Sequence, residues 1–136
     1  MILTAAVLTL FLAKALGVYM LAAGLSGLVS RTRWTAILDG LKQSPALCYI
    51  TGVFVFALGV AMIIAHTIWT DPLAIVVSLF GWAAAIEGLI LIVAPEPLLK
   101  FGASLVRPGG VVPFALFAII AGIVLLLCGL IGRAGF

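Results

Sequence analysis

Few side chains in this sequence could do chemistry, and those few lie within or beside long apolar stretches. Lys14, His66, Asp71 and Glu87 are the ionisable groups at such positions. In a bilayer each is a functional hypothesis with a partner to be named. Lys14 and Glu87 are the candidate transport or intramembrane polar residues. Counted from the starts of their apolar stretches, at 1.5 Å per residue, they lie about 18 and about 21 Å deep, which would pair them near mid-membrane. His66, Trp69 and Asp71 form a second candidate cluster at the outer end of a helix. A membrane histidine can ligate haem or a chlorophyll-type pigment, or bind a metal with a carboxylate. His66 is the only histidine, however, and no second ligand has suitable spacing. The bland readings are snorkelling for Lys14, an interhelical hydrogen bond for Glu87, a cap or hydrogen bond for His66, and a turn with helix start for Asp71.

The usual catalytic constellations are missing. There is no G-x-S-x-G, H-E-x-x-H, Walker-type loop or paired carboxylate. Ser26, Ser30, Ser44 and Ser104 have no histidine nearby in sequence. The sequence therefore predicts a protein that is not an enzyme, with no catalytic residue, no metal site and no cofactor. Cys48 and Cys128 form no C-x-x-C motif and are expected near opposite membrane faces as packing residues.

The elements that must position these residues follow from composition. Of 136 residues, 66% are apolar and 8% charged. Soluble domains average about 25% charged residues, so lipid is the expected solvent. A hydrocarbon core about 30 Å thick needs about 20 helical residues. Four stretches qualify, at about 2–29, 46–69, 73–94 and 111–131. Pro45, Pro72, Pro95 and the run Pro108-Gly109-Gly110 punctuate them, and Pro113 falls in a first turn, where its missing N–H is harmless. The fold class is all-α integral membrane, a single domain built as a four-transmembrane-helix bundle.

The charge of +3 is scattered, which gives nucleic-acid binding no support. Its distribution reads as topology instead. Arg31, Arg33 and Lys42 lie in the first connection and Lys100 and Arg107 in the third, against Arg133 alone on the other side. This asymmetry predicts both termini outside and both longer loops in the cytoplasm. Trp34, Ile37, Leu38 and Leu41 form one apolar stripe in those loops. Leu98, Leu99, Gly102, Leu105 and Val106 form another. Such stripes suit short helices in the headgroup layer.

The two halves also resemble each other. Gly17 to Leu25 and Gly81 to Leu89 both read Gly, six residues, Gly-Leu, and Gly59 aligns with Gly122 if one loop residue is dropped. The chain then reads as two tandem hairpins related by an axis along the membrane normal. In that alignment Lys14 is level with Ser78, and Glu87 lies about 13 Å nearer the cytoplasm. Lys14 would snorkel outward with Asp71 as its partner, while Glu87 would look to Tyr49, Thr51, Ser26 or Arg31. Small residues four apart, at Ala13/Gly17, Ala57/Ala61/Ala65, Ala84/Gly88 and Ala118/Gly122, could pack this chain's own helices or dock another subunit.

The stretch from Gly52 to Pro95 carries Gly59, His66-Thr67-Ile68-Trp69, Gly81-Trp82 and Glu87-Gly88. It resembles an uncharacterised family of small four-span bacterial inner-membrane proteins with an H-x-x-W … G-W pattern. The residue before the later glycine is often lysine there, and here it is Glu87. The resemblance covers about a third of the chain; it implies four spans in a cell inner membrane, which makes the outside termini periplasmic, and it supplies no activity.

Three functions follow as expectations. The first is a non-enzymatic accessory or scaffold subunit of a larger membrane complex. The second is a homo-oligomeric transporter or channel using Glu87 and Lys14. The third is haem or pigment binding through His66. The expected partners are the lipid bilayer and other membrane proteins, or a second copy met through the small-residue faces.

Overall fold

The computed structural model describes residues 3–4, 6–107 and 109–134. Four helices are long and apolar enough to cross a membrane: α1 Val7–Val29, α3 Pro45–Ala65, α4 Pro72–Val93 and α6 Val111–Ile131. Two shorter helices, α2 Arg33–Gln43 and α5 Pro95–Leu105, occupy the longer connections where the apolar stripes predict them. Two-residue strands β1 Leu3–Thr4 and β2 Arg133–Ala134 pair in parallel and tie the chain's ends together. The end of the molecule where α1 begins and α6 finishes is called the terminal face below, and the end carrying α2 and α5 the loop face.

Local chemistry explains half of the helix starts. Ser44 caps α3, its Oγ accepting from Leu47 N–H at 3.2 Å, with Pro45 following as the first helical residue. Asp71 caps α4 in the same way, Oδ1 accepting from Ala74 N–H at 3.0 Å ahead of Pro72. An oxygen at the cap satisfies one of the orphan amides of the first turn, and proline there has no N–H to waste. Gly109 makes the turn into α6 with φ of +89°, a conformation that favours glycine.

Two span boundaries differ from the sequence expectation. The first helix begins at Val7, not near residue 2; Thr4 still lies in β1, and Ile2 lies outside the described residues, as does Pro108. The second helix ends at Ala65, not Trp69. His66 is its extended C-cap, and the chain from His66 to Trp69 leaves the helix because Ser78 binds both backbone groups of Ile68.

The spans pack as two antiparallel pairs, α1 with α6 and α3 with α4, built on glycine. A Cβ placed on Gly17 would lie 2.7 Å from Leu126 N and 2.8 Å from Gly122 O. One on Gly24 would lie 2.7 Å from Ala115 O. In the other pair, Gly59 abuts the backbone of Ala84 and Ala85, and Gly88 abuts that of Phe56. Lipid tails are as apolar as leucine, so such close backbone approach is what makes one helix prefer another.

These contacts repeat. Gly17 meets Gly122 and Leu126 as Gly81 meets Gly59 and Ile63, and Gly24 meets Ala115 and Ile119 as Gly88 meets Gly52 and Phe56. Each first helix of a half thus packs on the second helix of the other half, so the two hairpins are interlocked. Counterparts also touch each other directly, as at a two-fold axis. Ala13 and Val77 share one core cluster with Leu73 and Leu125, and Leu38 of α2 packs on Gly102 of α5. Cys48 belongs to a separate core with Leu91 and Leu99 toward the loop face, and Cys128 packs against the first core, so the two thiols are far apart.

The glycine seams give a direct test. Gly17→Leu or Gly59→Leu forces side-chain atoms into backbone and should cost about 3 kcal/mol or more. Gly40→Ala, in open space inside α2, should be neutral or stabilise by about 0.5–1 kcal/mol. Unfolding in mild detergent measures both; equal effects from the two kinds of substitution would contradict the seams.

Candidate functional site

Thr9, His66 and Ser78 come together near the terminal face, where three chain segments meet at the imidazole. The imidazole is 2% exposed. Its Nε2 lies 2.6 Å from Thr9 Oγ1 of α1 and its Nδ1 lies 3.1 Å from Ser78 Oγ of α4. Ser78 Oγ also donates to Ile68 O at 2.9 Å and accepts from Ile68 N–H at 3.1 Å. Thr9 and Ser78 are themselves buried.

Hydrogen counting fixes the network. Ser78 has one hydroxyl proton, and the Ile68 carbonyl takes it. The ring then donates from Nδ1 to Ser78 Oγ, and in its neutral form accepts at Nε2 from the Thr9 hydroxyl. Both ring nitrogens are thereby occupied. An iron or pigment metal could reach His66 only by displacing Thr9 or Ser78. Among the described residues, no group of three or more His, Cys, Asp and Glu could hold a metal.

The predicted outer-face cluster is partly assembled. Asp71 is buried beside the network at the α4 cap, whereas Trp69 is 46% exposed and stays outside it. Thr9 was not among the sequence candidates, and Ser78 appeared only as the level counterpart of Lys14. Their one signal is polarity at otherwise apolar helix positions. In the interlocked repeat, His66 and Ser78 occupy the places of Gly129 and Lys14, and Gly129 does pack against the Lys14 side chain.

Lys14 and Glu87 are not brought together. Lys14 is seven residues into α1 and Glu87 fifteen into α4, or about 10 and about 22 Å from the terminal-face ends. The Lys14 ammonium lies 4.6 Å over the ring of Phe11, on the terminal side of its own position, as a snorkelling lysine would. Glu87 lies on the exposed surface of α4 and has no hydrogen-bond or ion-pair partner among the described residues. Two of the partners expected for it are engaged locally: Thr51 Oγ1 donates to Leu47 O at 2.8 Å, and Ser26 Oγ accepts from Arg33 at 3.4 Å.

The small-residue stripes also divide. Gly17, Gly88 and Gly122 serve this chain's own seams, while Ala57, Ala61 and Ala65 lie uncovered on α3. No protein-family model, curated protein or solved structure matches the chain.

The network predicts graded losses. Thr9→Val strands one imidazole nitrogen and should cost about 1–3 kcal/mol. Ser78→Ala strands Nδ1 and both Ile68 backbone groups and should cost more. Nitrogen NMR of labelled histidine should find the neutral ring protonated on Nδ1; a proton on Nε2 would overturn the assignment.

Proposed function

We propose that this protein is a non-enzymatic accessory or scaffold subunit of a larger membrane assembly, held in a cell inner membrane with both termini periplasmic. The observation that carries the reading is Glu87, a carboxyl on the exposed surface of a membrane-length helix with no hydrogen-bond or ion-pair partner among the described residues. An acidic side chain facing lipid costs about 3 kcal/mol at a helix centre and less toward an end. A cation or hydrogen-bond donor from a neighbouring subunit would remove that cost.

Two further features support it. The uncovered Ala57/Ala61/Ala65 stripe on α3 allows another helix to approach closely, as the glycines do inside the chain. The buried polar groups are already satisfied, because no buried side-chain nitrogen or oxygen among the described residues is without a partner. Such an interior suits a structural part better than a reactive one. The orientation is supported by five Lys and Arg residues in the longer connections against one at the C-terminus.

A homo-oligomeric transporter draws less support. Its two candidate residues stand about 12 Å apart in depth, and Lys14 is directed toward the terminal face. A cofactor at His66 would have to break a fully paired hydrogen-bond network.

Native gels of untagged protein from its own membranes, solubilised in mild detergent, should show it migrating with larger partners. Glu87→Gln and Ala61→Phe should each release it from the larger species while leaving its unfolding midpoint unchanged. Consistent recovery of the wild-type chain as a lone monomer would defeat the reading.

A further inference from the structure

The loop face holds an open groove of about 520 Å³. Pockets of about 300–1,000 Å³ are of the size that takes small ligands. Its floor is apolar and buried, made of Cys48, Leu91 and Leu99, and its rim carries Lys42 from α2 with Lys100 and Glu96 from α5. The rim thus bears two cations against one anion.

The backbone adds to this polarity. Pro45 and Pro95, the first residues of α3 and α5, both line the groove, so two helix N-termini open at it. Helix N-termini favour anions. The first three residues of α3 and of α5 offer few free amides. Pro45, Pro95 and Pro97 have no N–H, and Leu47 N–H is taken by Ser44, which leaves Ala46 and Glu96. Charge selection therefore falls mainly on Lys42 and Lys100.

The groove sits at the start of α3 and the end of α4, two helices long and apolar enough to cross a membrane. The corresponding described residues of the other half pack differently. There Trp34 lies against Gly27 and edge-on to Phe114 at 5.3 Å, Val106 is buried, and Thr35 Oγ1 donates to Val106 O.

We infer that this groove is a binding site for an anionic glycerophospholipid of the surrounding bilayer. Lys42 and Lys100 hold the phosphate, Glu96 accepts from a headgroup hydroxyl, and the acyl chains begin over Cys48, Leu91 and Leu99. A soluble phosphate has the charge but no use for the apolar floor. Basic pockets beside membrane helices recognise lipid headgroups on these terms. The site stands apart from Glu87 and from the proposed assembly role, and neither depends on the other.

The test is native mass spectrometry of the full chain in nonionic micelles doped equally with phosphatidylglycerol and phosphatidylcholine. Wild type should retain phosphatidylglycerol preferentially. Lys42→Gln and Lys100→Gln should each cut that preference about fivefold, Lys42→Arg and Lys100→Arg should keep it, and Arg31→Gln and Arg107→Gln, outside the groove, should leave it intact. Inorganic phosphate or glycerol phosphate at millimolar concentration should not displace the lipid. Equal retention of both lipids by wild type, equal losses from the Arg31 and Arg107 variants, or displacement by free phosphate would each overturn the inference. The first denies the site, the second reduces it to general surface charge, and the third assigns it to a soluble anion.

Discussion

In hydrocarbon an apolar helix gains nothing from hiding its side chains against another, so helix choice rests on how closely backbones can meet. That constraint selects the glycines of this fold. Gly17 against Gly122 and Gly59 against Ala85 bring backbone to backbone in the two pairs, and at neither position is there room for a Cβ. The interlocked topology follows. Once α1 is committed to α6 and α4 to α3, the helices of one half cannot pack principally on each other. The remaining contact, at Ala13 and Val77, lies between counterparts.

The small apolar contact between the pairs is reinforced by polarity. Thr9 belongs to the first pair, His66 and Ser78 to the second, so the Thr9–His66 hydrogen bond crosses the joint. A buried imidazole in a low-dielectric layer is costly if either nitrogen is unmet, and both are met here. The same residues explain why α3 stops early. Ser78 competes successfully for the backbone of Ile68, and the chain turns toward Asp71 and its cap instead of completing another helical turn. Symmetry is broken at the joint, where His66 takes the place of a glycine.

Much of this was legible in the sequence. Apolar length marks the four spans, proline marks the starts of α3, α4 and α5, and the stripes at Trp34 and Leu98 mark α2 and α5. The repeat read from Gly17, Gly81, Gly59 and Gly122 correctly separated Lys14 from Glu87 in depth. Pairing was not legible, because a glycine shows that a backbone can come close and not which one does. The polar joint was also hidden. Thr9 and Ser78 are 69 residues apart in a chain of 136, and only the crossing of α1 and α4 brings both to one ring. The helix end at Ala65 was missed for a related reason: the apolar pattern runs on through Ile68, and a tertiary hydrogen bond overrides it.

The distribution of satisfied and unsatisfied polarity separates what this chain does for itself from what it leaves to others. Lys14 rests over Phe11, His66 is fully paired, Asp71 caps a helix, and the Thr51 and Ser26 hydroxyls bond within their own neighbourhoods. Glu87, the one Asp or Glu within the described spans, is exposed and has no hydrogen-bond or ion-pair partner among the described residues, one residue before a glycine that anchors α4 to Phe56. Its backbone is therefore held firmly while its side chain points away from the seam. The close seam at Gly88 holds the Glu87 backbone in place, so its carboxyl is restricted to the positions that its own staggered rotamers allow on the exposed side of α4.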